Sequence, residues 1–464
     1  MVISEELKEL AIKFNKAGKK LYIVGGYIRN ELLGVPHYLN TDIDICSSAK
    51  PDEVKKIIGR KFKSEIIDEN LGSVNIYGEQ KYEYSTFREE DYKINGEHRP
   101  NFIKLVKDIK RDAKRRDFTI NCIYYDIYDE KIIDFYNGIE DLKNSVVRTI
   151  ETPEYVFKND ALRILRMIRI ACSLGFDIDI NTVLTAKDNV YKLKYLTKDK
   201  IREELNRILV CDTFYPMLDY TKNAHSRALL LLGEMGMLNY IFPAIESVRV
   251  SNQKYKNDTL YNHLLKTYEL SSPDTRLSTL FHDIGKFYSK EKYKNFWANE
   301  EYLKYYIDLN LGTDKGLGYS KNVIDRVKKI ILGQNFNKYC LENRYNVRRF
   351  IIENKEVINQ IIELLNNRKL AKTDLKKRSA VGVKLQKELN LMNKNKVPFT
   401  IKDLNINGDD IIDNFENIKV EKIGLILNKL FDICLKNENK NQKSTLINLT
   451  RKIIVGNENI FLED

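Results

Sequence analysis

Strand-like periodicity in this chain is confined to its first third. Between residue 21 and about residue 136, short alternations of apolar and polar residues read as strands at 21–24, 41–45, 103–106, 121–128 and 131–135, with a short helix over 27–33. After Arg148 that period nearly vanishes, and segments 161–174, 200–210 and 226–237 repeat apolar residues at helical spacing. Strands segregated ahead of helices predict an α+β chain, with a mixed head and then an all-helical remainder. Eight prolines in 464 residues leave long helices unbroken. At about 150 residues per domain, the length predicts roughly three domains. The Lys- and Asn-rich stretches 364–396 and 436–443 read as solvated faces or linkers.

Lys and Arg number 78 against 66 Asp and Glu, a net charge of +12 that favours a polyanionic partner. Coding bias toward lysine and asparagine gives the same excess, so charge alone does not decide. Residues 1–20 alternate apolar and charged positions and lack the apolar run of a signal peptide. The most apolar stretch, 228–238, is interrupted by Glu234, whereas a membrane span needs about 20 apolar residues. The six cysteines form no C-x-x-C pair, which argues against a zinc knuckle or a disulfide framework. A soluble cytoplasmic protein is expected, with no membrane and no protein partner implied.

Asp42 and Asp44 stand one residue apart in an apolar alternating segment. On a strand, both carboxylates therefore share one face while Ile43 and Ile45 take the other. Paired hard anions suit Mg2+, although an isolated D-x-D is far more often an acidic turn or edge strand. Just upstream, Gly25-Gly26 ends a strand and opens a helix, where bare N–H groups can meet phosphate, and Arg29 follows one turn later. With no G-x-x-x-x-G-K-[ST] and no G-x-G-x-x-G in the chain, P-loop and Rossmann sites are disfavoured. Arg115 and Arg116 precede Asp117 and Asn121. Guanidiniums suit phosphate oxygens, and Asp or Asn suits a ribose hydroxyl.

Asp160, Arg163, Arg166 and Arg169 follow at three-residue intervals, with Asp160 and Arg163 expected on one helix face opposite Leu162, Leu165 and Ile168. The plain alternative is an exposed ion pair on an amphipathic helix. Cytosine and adenine each present an amino donor beside a bare ring nitrogen; uracil and guanine present a carbonyl beside a ring N–H. A carboxylate next to a guanidinium complements the first pattern and opposes the second.

In order, Val24-Gly-Gly-Tyr-Ile-Arg-Asn-Glu-Leu-Leu-Gly34, Thr41-Asp-Ile-Asp-Ile45, Arg115-Arg-Asp-Phe-Thr-Ile-Asn121, Phe135-Tyr-Asn-Gly-Ile-Glu-Asp-Leu142 and Asp160-Ala-Leu-Arg-Ile-Leu-Arg166 resemble the class II tRNA nucleotidyltransferases. These comprise the CCA-adding enzymes and related bacterial poly(A) polymerases. The resemblance implies a polymerase-β-type head over 1–145 and a helical neck over 146–210. A helical body over 211–390 and a tRNA-binding tail over 391–464 complete the expected chain. It implies addition of C, C and A to the tRNA 3′ end from CTP and ATP without a template, with Mg2+ held by Asp42 and Asp44. Gly25, Gly26, Arg29, Arg116, Asp117, Asn121, Asp160, Arg163, Arg166 and Arg169 are the implied nucleotide contacts, with Asp117 and Asn121 at the ribose. Glu83 matches a third carboxylate, and Glu204 a glutamate that supports the neck. Residues 87–100 are similar to the loop associated with adding the final A. Asn159 replaces a usual glutamate. An A-adding enzyme or a poly(A) polymerase remains the near alternative.

His263 and the His282-Asp283 pair resemble an HD domain, over about 259–345, whose imidazoles and carboxylates bind metal for phosphoester hydrolysis. Asn299 and Gln334 stand where further histidines are usual, so a retained structural core is expected, with a phosphohydrolase as the distant alternative. Segments 405–411 and 423–427 look like the family's tail.

Overall fold

The computed structural model describes residues 3–92, 96, 98–218, 221–251, 253–255, 258–293, 300–335, 343–372, 378–416 and 418–456. They form two compact units, one of residues 1–251 with 308–319, the other of 252–307 with 320–464.

The first unit begins with α1 (Glu5–Lys16). The Ser4 side chain accepts from Leu7 N, acids occupy the first turn, and Leu7, Leu10, Ala11 and Phe14 form the buried stripe. Strand β1 (Tyr22–Val24) leads into α2 (Gly26–Leu32), then β2 (Ile43–Ser47) and α3 (Pro51–Ile58). The strands β3 (Lys63–Asp68), β4 (Ser73–Tyr77), β5 (Lys81–Thr86), β6 (Arg88–Asp91) and β7 (Phe102–Leu105) follow, then α4 (Ile109–Ala113), β8 (Ile123–Asp126), β9 (Lys131–Asp134) and α5 (Gly138–Lys143). Seven strands make one sheet in the order β3-β4-β5-β2-β1-β8-β9, with β2 and β5 parallel and the other neighbours antiparallel. Leu10 and Phe14 of α1 and Val54 and Ile58 of α3 share one core with Ile23, Ile45, Ile76 and Tyr84 of the sheet.

Several expected boundaries shift. Asp42 lies just before β2 rather than within it. Asn121 belongs to a 3₁₀ turn (Thr119–Asn121) ahead of β8, and β7 pairs with β6 in a separate ribbon. β3 and β4 were not anticipated. β3 runs along the sheet's edge with a mostly exposed Lys-Ser-Glu-Ile-Ile-Asp pattern, so no buried face imprints a two-residue period on it.

Beyond the head, α6 (Pro153–Asn159) opens on a helix-starting proline, and α7 (Leu162–Leu174) ends at Gly175 with φ +69°. Then come α8 (Ile180–Asn189), α9 (Lys198–Leu209) and α10 (Ala224–Glu234). The helical periods expected over 161–174, 200–210 and 226–237 therefore hold, within two or three residues at their ends.

Among the described residues of the second unit the regular elements are helices and one short β-ribbon, Lys254–Tyr255 with Asp258–Thr259. Its core includes Ile351, Ile361, Leu364, Leu385, Met392, Ile426 and Leu430. The reading of 364–396 as solvated face or linker is thus corrected. Helices Ile358–Leu370 and Ala380–Lys394 bury an apolar stripe and expose their Lys residues and most of their Asn residues, Asn367 being buried. Residues 436–443 are largely exposed, as expected. In the 405–411 segment, Asn407 and Asp410 cap helix Gly408–Asn414 reciprocally, and 423–427 opens helix Ile423–Lys436. Among the described residues no helix is long and apolar enough to cross a membrane.

Candidate active site

The centre of the sheet brings two motifs side by side. Val24, the last residue of β1, pairs in register with Asp44 of β2, and Asp44 pairs with Glu83 of β5. Gly25 follows at φ +86°, where a side chain would be strained, and a Cβ there would meet Asp44 Oδ2 at 3.4 Å. Ile43 and Ile45 are buried on the core side while Asp42 and Asp44 are exposed, as the alternation requires.

Among the described residues no donor hydrogen-bonds to the carboxylate of Asp42 or Asp44, and neither is in an ion pair. Asp44 is reached by solvent but walled by protein. That burial, reinforced by the charges of Glu83 and Asp42 and opposed by Arg116 and Arg166, pushes its pKa up to about 6. Glu83 itself pairs with Lys81 at 2.7 Å. Two unpartnered carboxylates in a shared field are a donor set that fits a hard divalent cation.

A cavity of about 1590 Å³ lies over this pair. All twelve residues expected to catalyse or to bind nucleotide line it, from Gly25 to Arg169. It exceeds the roughly 300–1,000 Å³ of ordinary small-molecule pockets, leaving room for a nucleotide and a polymer end.

The cavity's arginines are anchored from behind. Arg116 donates from Nε to Tyr124 Oη at 2.8 Å and from Nη2 to Asp112 Oδ2 at 3.1 Å, and Arg115 Nε reaches Asp112 Oδ1 at 2.8 Å. Burial opposes the charge of Asp112, but these two guanidiniums hold its carboxyl well below the usual range. Arg169 Nε donates to Glu204 Oε1, so Glu204 supports the helix as expected. Arg163 donates to the carbonyls of Arg115 at 2.5 Å and Arg116 at 3.3 Å.

Asp117 departs from expectation. Its Oδ1 accepts from Phe118 N and Asn121 Nδ2, and its Oδ2 from Arg166 Nε at 2.9 Å and Nη2 at 2.7 Å. With about four acceptor positions per carboxylate, none is left for a ribose hydroxyl. Asp117 instead holds Arg166 and Asn121 in place. Its pKa lies well below the carboxylate range; burial works against this, but Arg166 outweighs it.

Asp160 also differs. The chain breaks there between α6 and α7, with φ −148° and ψ 104°, so it flanks the helix rather than sharing a face with Arg163. Its Oδ1 accepts from Leu162 N at 2.9 Å, and its Oδ2 meets His98 Nδ1 at 2.9 Å and stands 3.8 Å from Arg163 Nε. The carboxylate and guanidinium are nevertheless adjacent. Within 87–100, residues 93–95 and 97 lie outside the described set. Gly96 O accepts from Ala161 N at 3.0 Å, and Tyr92 lies 6.0 Å from the Arg163 guanidinium.

Asp112, Tyr124, His98, Asn30 and Tyr215 were missed at the sequence level. His98 and Tyr215 act through contacts distant along the chain; Asp112, Tyr124 and Asn30 lie near the arginines they hold, but no local pattern marks them.

In the second unit the side chains of His263, His282 and Asp283 offer ligand atoms within 4.8 Å of one another, all buried. The anion is already matched: Asp283 Oδ1 accepts from Lys286 Nζ at 2.6 Å and Arg368 Nη2 at 3.2 Å. Burial is the main cause that lowers both imidazole pKa values, to about 2 for His263 and about 4 for His282, so both are neutral at physiological pH. Gln334 donates to the His282 carbonyl at 2.7 Å, and Asn299 lies outside the described residues.

Residues 21–148 match the family model of the poly A polymerase head domain. The chain is 30% identical over 280 residues to a CCA-adding enzyme of Staphylococcus epidermidis. That match covers 60% of this chain and 65% of the relative, so the chain spans just under two thirds of the relative's length. In structure it resembles the Bacillus stearothermophilus CCA-adding enzyme solved with CTP, at a TM-score of 0.66, 20% identity and 98% of both chains. It likewise resembles the Thermotoga maritima CCA-adding enzyme solved with tRNA, at a TM-score of 0.57 and 19% identity over 97% of this chain and 96% of that one. The fold of sheet head and helical remainder is therefore that of the CCA-adding enzymes.

Proposed function

We propose that this chain is a class II tRNA nucleotidyltransferase that adds C, C and A to the 3′ end of tRNA from CTP and ATP, without a template. The observation that carries this is the shared cavity. A carboxylate pair with no protein cation, Asp42 and Asp44, opens onto the same space as the Asp160 and Arg163 pair. The first arrangement is chemistry for phosphoryl transfer and the second is a reader for amino-bearing bases.

Asp42 and Asp44 would hold divalent cations, Mg2+ in this proposal. When bound, the metal offsets triphosphate charge and favours ionisation of the attacking hydroxyl. Arg116 and Arg166, fixed by Asp112 and Asp117, present their remaining N–H groups to phosphate oxygens. Asn121 keeps one Nδ2 hydrogen for the ribose. Asp160 accepts from the base amino group while Arg163 donates to the neighbouring ring nitrogen. The terminal ribose 3′-hydroxyl of the RNA attacks the α-phosphorus, and the bond to the pyrophosphate oxygen breaks.

The decisive experiment incubates the purified protein and divalent metal with tRNA ending at the discriminator base, supplying each NTP singly and in pairs. Extension by three nucleotides with CTP plus ATP, and by two with CTP alone, is expected. Extension only of tRNA already ending in CC would identify an A-adding enzyme, and long adenylate tracts on unstructured RNA a poly(A) polymerase. No extension of any RNA would overturn the reading.

A further inference from the structure

Arg29 is held in the cavity wall by a residue 186 positions away, and we propose that Tyr215 is a positioning residue for the nucleotide-facing guanidinium. The inference rests on the nucleotidyltransferase reading above and deepens it. Tyr215 follows the neck helices, yet its hydroxyl stands 2.7 Å from Arg29 Nη2 and 3.0 Å from Asn30 Oδ1, and all three side chains are buried. A guanidinium can only donate, so the Tyr215 oxygen must accept from Arg29, and its own proton must turn to Asn30. The direction of this small network is therefore fixed.

The rest of the fork is equally constrained. Arg29 Nε and Nη2 donate to Asn30 Oδ1 at 3.2 and 2.9 Å, and Nη1 donates to Asn121 Oδ1 at 2.6 Å. Four of the five N–H groups are thus engaged within the protein, which leaves one Nη1 hydrogen for a ligand oxygen. Arg29 does not reach out as a flexible clamp. It offers a single N–H in a fixed direction, toward the sugar-phosphate part that CTP and ATP share, and Tyr215 is the partner that stops the plane of the guanidinium from rotating. Binding gains because this order exists before the ligand arrives.

The test compares wild type, Tyr215→Phe, Arg29→Gln and the double variant in full-length protein. It measures equilibrium binding of CTP and of ATP, KM and kcat for addition to tRNA, and thermal unfolding. Loss of one net hydrogen bond predicts that Tyr215→Phe raises Kd and KM about fivefold, with kcat changed less than twofold. The effect is equal for CTP and ATP, because the base is not involved. In the Arg29→Gln background, Tyr215→Phe should add nothing, the signature of a residue acting through Arg29. A lowered Tm with unchanged KM, a shift for one nucleotide only, or effects that multiply in the double variant would each overturn the inference. Should Tyr215→Phe fail to fold, Asn30→Ala breaks the same network and carries the same expectations. Wild-type protein that binds neither nucleotide would defeat the functional reading and this inference with it; wild-type binding with an unaltered Tyr215→Phe would defeat the inference alone.

Discussion

Asp160 uses its two oxygens for different ends, and substitution can separate them. Oδ1 caps α7 by accepting from Leu162 N, while Oδ2 lies beside Arg163 on the reading side. Asp160→Ala removes both. A lost N-cap costs about 1 kcal/mol, which lowers the Tm of a unit this large by about 2–4 °C. Asp160→Asn keeps the cap, because asparagine caps as well as aspartate. Moreover, the Leu162 N–H demands an acceptor, so the amide oxygen is fixed at the cap and the NH2 group takes the reading side. A donor then stands where an acceptor stood. The cytosine amino group loses its partner and the uracil carbonyl gains one, although Arg163 still opposes the uracil ring N–H. A hydrogen bond to a charged group is worth about 1.5–3 kcal/mol, so the preference for CTP over UTP should fall about 10- to 150-fold. The assay is kcat/KM for CTP and UTP on tRNA ending at the discriminator base, beside thermal unfolding of both variants. An unchanged CTP to UTP ratio in Asp160→Asn, or a Tm loss matching that of Asp160→Ala, would refute this division of labour.

Asp44→Asn should abolish nucleotide addition while leaving tRNA affinity, read by filter binding, within about twofold; retained activity would remove Asp44 from the site. Because burial raises the Asp44 pKa to about 6, its charge is lost as pH falls through that value. The metal concentration giving half-maximal activity should therefore climb below pH 6 and be flat above pH 7, and a flat profile throughout would contradict the buried setting. Glu204→Gln leaves the half-buried Arg169 without its counter-charge, so denaturant unfolding should show a loss of about 3 kcal/mol, and no loss would mean the pair is not structural. The His263, His282 and Asp283 cluster should support no Ni2+- or Mn2+-dependent hydrolysis of 2′,3′-cyclic phosphates. Turnover that disappears in His282→Ala would establish a second active site.

What the sequence made legible was local. The Asp42 and Asp44 alternation, the glycine turn and the periodicity of α7 each write a short-range constraint into adjacent residues, and each is found in the structure. β3 was illegible because an exposed edge strand needs no apolar face. The same logic in reverse hid the helices around Leu364 and Leu385. Their buried stripes are narrow, and the Lys and Asn residues between them dominate the composition. Asp160 shows a subtler failure. The three-residue spacing to Arg163 is as compatible with a capping residue just outside the helix as with one on its face, and only the backbone break at ψ 104° decides. Tyr215 and His98 were beyond reach, since their roles exist only once distant segments meet, whereas Asp112, three and four residues from Arg115 and Arg116, reads as an ordinary local ion pair.

Such partners explain how so much positive charge can line one cavity. Two guanidiniums about 6 Å apart repel by roughly 3 kcal/mol at an effective dielectric of about 20, so an unbraced arginine cluster would splay apart. Here Arg115, Arg116, Arg163, Arg166 and Arg169 each have an acceptor behind them. Asp112 serves Arg115 and Arg116, Asp117 serves Arg166, Glu204 serves Arg169, and two backbone carbonyls serve Arg163. Asp42 and Asp44 face the cavity with no hydrogen-bond donor and no cationic partner among the described residues. The protein's own charges are thus satisfied in a second layer, and the innermost surface is left with the two features a nucleoside triphosphate and its metal require: directed N–H groups already held in place, and an uncompensated pair of carboxylates. Asp117 illustrates the trade. Its full set of donors removes it from direct contact with a ribose, and in return Arg166 and Asn121 are ordered before any nucleotide arrives.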